Sequence, residues 1–359
     1  MKKTLVAIAA LAATGAFAQS SVTIYGQFDA GVYSLKKADG TKNAVVYGDG
    51  ATFSNILGFK GTEDIGGGLK AGFDFQTDVQ TNNGGLNTSG LFRRQANGSI
   101  ESATLGQVKL GLTTNPIIAT NGLLMPVAGN SVSTATSSAM GYADFYTKNA
   151  VTYTSPSIMG LVGQFQRGMA NNLDSSTAGS VTAYSLNYTN GPLAVRYAAQ
   201  NRKDSGVSSS SNASTSTLEG INTAKYAKDD SIFGASYAIG PVTVAAAHLV
   251  TKNAAAAGGA KTELTGNQYG VGYTTGAWTL GGSLTKAEGS KLTNMQARYA
   301  LSKRTNIIGT YGIADNAATV KFSPLAFNTG TNPAPIVKDY AATANAKQTG
   351  FGVGLTHSF

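Results

Sequence analysis

Gly350-Phe351-Gly352-Val353-Gly354-Leu355-Thr356-His357-Ser358-Phe359 closes the chain, and its reading decides the fold. Phe351, Val353, Leu355, His357 and Phe359 take every second position, with Gly, Thr or Ser between them. Successive side chains of a strand point to opposite faces, so this period gives one apolar, aromatic face and one small, polar face. The alternative for the segment taken alone is an ordinary terminal strand.

The same alternation recurs upstream. Trp278, Leu280, Gly282 and Leu284 alternate with Thr279, Gly281, Ser283 and Thr285. Phe233, Ala235, Tyr237 and Ile239 alternate with small residues, as do Leu193, Val195 and Tyr197 with Ala194, Arg196 and Ala198. Leu69, Ala71, Phe73 and Phe75 alternate with Lys70, Gly72, Asp74 and Gln76. A soluble β-sandwich also alternates, with its apolar face inward. Two observations favour a membrane barrel with that face outward. Lys70, Asp74, Arg196 and Arg298 stand on the polar face within strands, where a water-filled lumen accepts them. Tyr25, Tyr188, Trp278 and Phe359 sit near strand ends, as interfacial aromatic girdles do.

Sixteen strands are predicted, beginning near Val22, Asn55, Leu69, Phe92, Gly106, Lys148, Leu161, Val181, Leu193, Ser231, Val242, Gln268, Trp278, Leu292, Asn306 and Gln348. Short turns such as Asn190 to Pro192 and Thr275 to Ala277 alternate with long polar loops such as Lys203 to Thr223, Lys252 to Thr265 and Ala314 to Lys347. Short periplasmic turns opposite long external loops are the asymmetry of an outer-membrane barrel. An even count returns both termini to one side, and about 16 strands enclose an aqueous channel.

Composition agrees. The 359 residues include 45 Gly, 16 Tyr and 14 Phe, carry only 13% charged residues and contain no Cys. That suits many strands joined by polar turns better than a helical enzyme. Residues 1–18 read as a signal peptide: Lys2 and Lys3, an apolar run from Leu5 to Ala13, then Ala16-Phe17-Ala18 as the cleavage site. The apolar run is too short to span a bilayer as a helix. Residues 19–359 then form one barrel domain. Without Lys2 and Lys3 there remain 25 basic and 18 acidic residues, a formal charge of +7. An exported chain without disulfides must hold itself by other means, and a closed barrel does so through inter-strand hydrogen bonds.

At several of these segments the chain resembles the trimeric general porins of β-proteobacteria and Neisseria. The resemblance begins at Val22-Thr23-Ile24-Tyr25-Gly26 with Asp29-Ala30-Gly31 and continues through Leu57 to Leu69 (LGFKGTEDIGGGL). Arg94-Gln95-Ala96 is similar to that family's fourth strand, and Lys148 to Pro156 (KNAVTYTSP) to its sixth. Tyr299 to Thr305 (YALSKRT) is the most specific stretch, and Gly354 to Phe359 closes the match. The resemblance implies a sixteen-stranded antiparallel transmembrane β-barrel, assembled as a homotrimer in the bacterial outer membrane. It implies passive diffusion of small hydrophilic solutes and ions, without cofactor or metal. It also implies contact with outer-membrane lipid and lipopolysaccharide, and a terminal Phe359 read by the barrel assembly machinery. The third external loop, here Thr113 to about Thr147, would fold inward and narrow the pore. Facing it, the family's basic wall residues correspond to Lys60, Arg94 and Lys148. Family members often carry Arg where this chain has Leu112, which removes one charge from the cluster.

The expected inward loop holds one acid, Asp144, and no base before Lys148. Fixed cations around a narrow, low-dielectric passage raise the local anion concentration, so small anionic and neutral solutes are the expected cargo. The alternative is that Lys60, Arg94 and Lys148 lie on the rim or are paired with carboxylates, leaving selectivity near neutral. Arg93 and Arg94 should point to opposite faces of a strand, and Arg94 is assigned to the pore.

Other functions are less well served. Basic residues are scattered, with no nucleic-acid module. His248 and His357 are the only histidines, both on apolar faces of their segments, with no Cys and no G-x-S-x-G elbow to support catalysis. They are too far apart in sequence to suggest a metal site. Gly66-Gly67-Gly68 reads as a turn, since no helical pattern follows it. A surface adhesin would explain the Ser/Asn/Ala-rich loops, but not the strand count.

Overall fold

Strands form where the period-two runs predict them. The computed structural model describes residues 21–36, 43–50, 52–86, 90–122, 124–126, 145–170, 178–203, 228–253, 262–317, 320, 322–325 and 344–359. The expected signal peptide lies outside these residues. In chain order the strands are β1 (Ser21–Lys36), β2 (Asn43–Asp49), β3 (Ile56–Gly66), β4 (Leu69–Asp78), β5 (Gln95–Ser102) and β6 (Gly106–Thr114). A short helix α1 (Pro116–Gly122) precedes β7 (Tyr146–Thr154), β8 (Leu161–Gly168), β9 (Val181–Asn190), β10 (Leu193–Arg202) and β11 (Lys228–Ile239). Then follow β12 (Val242–Asn253), β13 (Thr262–Thr275), β14 (Trp278–Ala287), β15 (Ser290–Ala300), β16 (Thr305–Asn316) and β17 (Ala346–Ser358).

All form one antiparallel sheet in which, from β3 onward, each strand pairs with the next in sequence, and β1 pairs with β17 to close it. Closure leaves no free sheet edge between first and last strands. Gly26 and Phe359 exchange two backbone hydrogen bonds of 3.1 Å at the seam. Seventeen segments make sixteen staves, because β2 and β3 pair with successive halves of β1: Asn43–Asp49 with Lys36–Ala30, and Ile56–Thr62 with Gln27–Ser21. The stave expected to begin near Asn55 therefore begins at Asn43 and is interrupted around residues 50–55. The break is held by side chains. Asp29 accepts from the N–H groups of Thr52 (3.0 Å) and Phe53 (2.6 Å), and Asn55 Nδ2 donates to the Asp29 carbonyl (3.0 Å) and to the Asp49 carboxylate. Without a ladder the backbone groups of this segment need such partners.

The inside-out polarity of a membrane barrel is plain on β17. Phe351 and Val353 are 58% and 59% exposed, whereas Gln348 and Thr356 are 1% and 3% exposed. A soluble sheet shows the reverse. Trp278 and Phe359 lie exposed on the outer face near the short turns, as the girdle reading expects. Tyr25 corrects that reading: it faces the lumen, where its hydroxyl donates to Asp74 (2.5 Å). Gly350, Gly352 and Gly354 also face inward, their space taken by Leu325 and Tyr33. They thus offer no outward surface for close packing of barrels.

The connections alternate as predicted, with one exception. Glu288-Gly289, on the long-loop side, is a two-residue hairpin between β14 and β15. Both residues have positive φ (45° and 82°), the conformation that matches strand twist in a tight hairpin.

Candidate functional site

The third long connection enters the barrel. Asn115 caps α1, its Oδ1 accepting from Ile117 N–H at 3.0 Å, and Pro116 occupies the first helical position, where no donor is missed. Asn115 Nδ2 also donates to Gln200 on β10 (2.6 Å), and Gln200 Nε2 donates to Asp230 on β11 (2.5 Å). Asp230 is buried and receives in addition Thr251 Oγ1 (2.6 Å) and Lys228 Nζ (3.3 Å). A carboxylate removed from water requires such partners, so this polar chain fixes the root of the loop to the wall.

Beyond the root the loop is held by apolar contact. α1 packs on β8 to β11. Ile117, Leu124 and Met125 join one buried cluster with inward residues of the wall, among them Ile232, Leu249, Leu264 and Leu292. The loop then passes β13 so closely that a Cβ on Gly270 would lie 2.9 Å from Pro126 Cδ. The inward course expected between Thr113 and Thr147 is thus seen for residues 116–126. Asp144 lies outside the described residues.

A second insertion was not legible as such. Within the loop expected at Ala314 to Lys347, Val320, Phe322 and Leu325 are fully buried inside the mouth. Asn316 clasps Phe322 through both backbone groups (2.9 and 2.7 Å), and Ser290 Oγ donates to the Val320 carbonyl. Leu325 packs with Tyr33, Leu35 and Val46. A Cβ on Gly312 would fall 1.8 Å from the Pro324 carbonyl oxygen, so glycine is required there. Val320 and Phe322 belong to the same apolar cluster as Ile117 and Leu124. The signal in the sequence is the apolar spacing Val320, Phe322, Leu325 early in the loop.

The wall from β3 to β6 differs. Cross-strand register places Lys60 opposite Asp74, Asp74 opposite Asn97, and Ser99 opposite Lys109, all on the inward face with Lys70 and Glu101. They surround an open recess of about 130 Å³. The Lys60 ammonium lies 4.9 Å from the Tyr25 ring centroid, a cation–π distance. Among the described residues no carboxylate lies within 4 Å of it. The Tyr25 hydroxyl already occupies Asp74, and Gln107 Nε2 donates to Glu101 (2.9 Å). Lys109 is the wall cation that sequence reading did not single out; alternation from Gln107 through Gly111 identifies it.

Arg93 and Arg94 do not point to opposite faces. β5 starts at Gln95, not near Phe92, so neither arginine obeys strand alternation. Both reach Asp78, Arg94 Nη1 at 2.8 Å and Arg93 through Nε. Arg94 Nε also donates to Gln76 Oε1 (2.9 Å), and its guanidinium lies 5.3 Å from the Tyr146 ring centroid. Burial opposes the charge of Arg94, but Tyr146 and Asp78 outweigh it and raise its pKa. Asp78 is thus shared by two guanidinium groups, and the Asp49 carboxylate lies within electrostatic reach of it.

Lys148 falls in a β-bulge. Gly111 pairs with Ala150 and Thr113 with Thr147, so Lys148 and Asn149 together oppose Leu112, and Asn149 has φ 51°. Alternation no longer assigns Lys148 a face; it is exposed. His248 and His357 lie on the outer face, bonded to Asn267 and Thr305. Among the described residues no group of three potential metal ligands occurs.

Comparison with known proteins matches this architecture. A sequence model of the family described as Gram-negative porin covers residues 4–319. Outer membrane porin protein 32 of Delftia acidovorans is 30% identical over the full length of both chains. An outer membrane porin protein of Bordetella pertussis is 33% identical over 54% of this chain and 58% of its own. Among solved structures, an anion-selective porin from Comamonas acidovorans has a TM-score of 0.72 at 23% identity, covering 95% of this chain and all of its own. OmpT of Vibrio cholerae, lacking its loop L8, gives 0.66 at 14% identity, covering 95% and 99%.

Proposed function

The chain belongs to the Gram-negative porin family, and from its charged inner wall we propose that it forms an anion-preferring diffusion channel whose selectivity is set by Lys60, Arg94 and Lys148. As an outer-membrane porin it carries small hydrophilic solutes through its lumen. The reading of preference rests on one observation: Lys60 stands on the lumen wall with no carboxylate within ion-pair distance among the described residues, while its neighbour Asp74 is engaged by Tyr25. Support comes from the anion-selective porin of Comamonas acidovorans, which shares the fold. The loop acid Asp144 would partly offset this positive wall.

The assembly is proposed to be a homotrimer, after the family, with no contribution from the inward glycines of β17. Residues 1–18 are proposed as a cleaved signal peptide. Phe359, at the exposed outer seam, suits recognition by the barrel assembly machinery. The chain is proposed to act without catalysis, cofactor or metal. The testing experiment is the reversal potential of Lys60→Glu/Lys148→Glu in a planar bilayer under a salt gradient. The double variant should shift toward cations; an unchanged potential removes both residues from the selectivity wall.

A further inference from the structure

Lys60 and Asp74 lie directly opposite each other on β3 and β4, on the lumen side. Opposite charges placed across a strand pair attract and ordinarily close an ion pair. Here the pair stays open, and Tyr25 of β1 explains why. Tyr25 lies directly opposite Gly58, and Gly58 directly opposite Gln76, so the three form one inward row. The phenol ring lies across the glycine: a Cβ at position 58 would fall 2.3 Å from Tyr25 Cζ. The ring therefore crosses β3 where glycine leaves room and brings its hydroxyl to β4.

There the hydroxyl has two partners. It donates to Asp74 Oδ1 at 2.5 Å and accepts from Gln76 Nε2 at 3.2 Å. Gln76 is oriented in turn, because its Oε1 accepts from Arg94 Nε at 2.9 Å. A guanidinium can only donate, so it fixes which end of the Gln76 amide faces Tyr25. Arg94, Gln76, Tyr25 and Asp74 thus form a chain in which every donor points toward the carboxylate. A hydrogen bond to a charged acceptor contributes more than an exposed ion pair, so the phenol holds Asp74 in preference to the ammonium. Lys60, exposed to the lumen, rests instead 4.9 Å from the Tyr25 ring centroid. The face of a ring places an ammonium without cancelling its charge.

We propose that Tyr25 is a positioning residue for ion selectivity: by occupying Asp74 it keeps Lys60 free to meet anions in transit. The proposal rests on the reading of Lys60 as a selectivity residue and names the side chain on which that role depends. It also makes Gln76 and Arg94 part of the same device, since they aim the hydroxyl.

The test is a double-mutant cycle on the full-length protein in a planar bilayer under a potassium chloride gradient, reading reversal potential and conductance. Tyr25→Phe keeps the ring over Gly58 and removes only the hydroxyl. It should lower the anion-to-cation permeability ratio roughly twofold, since an exposed ion pair of ordinary strength withdraws about half or more of the free ammonium. Conductance should stay as in the wild type. In an Asp74→Asn background the same substitution should leave the ratio where it stands, because no carboxylate is released. An unchanged ratio in Tyr25→Phe overturns the proposal. An equal fall in the Asp74→Asn background does so too, since it would make the hydroxyl a packing group. Lys60→Ser, recorded alongside, separates the two readings. A fall in its ratio with Tyr25→Phe inert strikes the positioning role alone; an unchanged ratio in Lys60→Ser strikes the selectivity wall, and the positioning role with it.

Discussion

The two sides of the inner wall obey one alternation rule and do opposite things. From β3 to β6 the inward positions are Lys60, Lys70, Asp74, Glu101 and Lys109, open around a polar recess. From β11 to β15 they include Ile232, Leu249, Leu264 and Leu292, all buried beneath residues 116–126 and 320–325. Apolar side chains lining water would forgo burial; covering each contributes about 1.5–3 kcal/mol. The inserted loops are therefore packed as a core is packed, and the solute path is displaced toward the charged side. Strand number sets the width of the barrel.

The largest effect should come from removing the covered side. Replacing residues 116–126 with a short Gly/Ser linker should raise single-channel conductance roughly twofold or more, and weaken ion preference as the passage widens. Unchanged conductance would mean that this loop does not bound the path. Reversing Lys60 and Lys148 to Glu comes next: the reversal potential should move while conductance changes little. Asp78→Asn should act the other way, since Arg93 and Arg94 lose their shared carboxylate. Anion preference should rise modestly, and a fall in anion permeability relative to cations would contradict the pairing. Gly312→Val should expel residues 320–325 through its clash with Pro324, giving a smaller rise in conductance and a lower unfolding temperature. The smallest effect is expected of pH. His248 and His357 face outward, so the reversal potential should stay flat from about pH 5 to 8.

Much of this contrast was already legible, and the parts that were not share a cause. Repeated period-two runs located the staves because one face is given to lipid along its whole length, as Phe351, Val353 and Leu355 show. Alternation failed wherever the backbone left the ladder. Arg93 and Arg94 precede β5, Lys148 sits in a bulge, and β2 is separated from β3 by a break that Asp29 and Asn55 hold through side-chain bonds. Tyr25 looked like a girdle residue because an aromatic near a strand end suits either face; its bond to Asp74 is a tertiary fact. The insertion at Val320 to Leu325 depends on glycines on two adjoining strands, at 312 and 350, whose role as space is invisible until those strands pair.

The central claim is that a positive wall, left uncovered by the described residues, governs passage. It is tested most directly by single-channel recording of the purified wild type in a planar bilayer across a salt gradient, reading conductance and reversal potential together. The account predicts stepwise open channels with a reversal potential of anion-preferring sign. Open channels with cation-preferring sign would contradict the wall assignment, and folded protein that never conducts would contradict the diffusion channel itself.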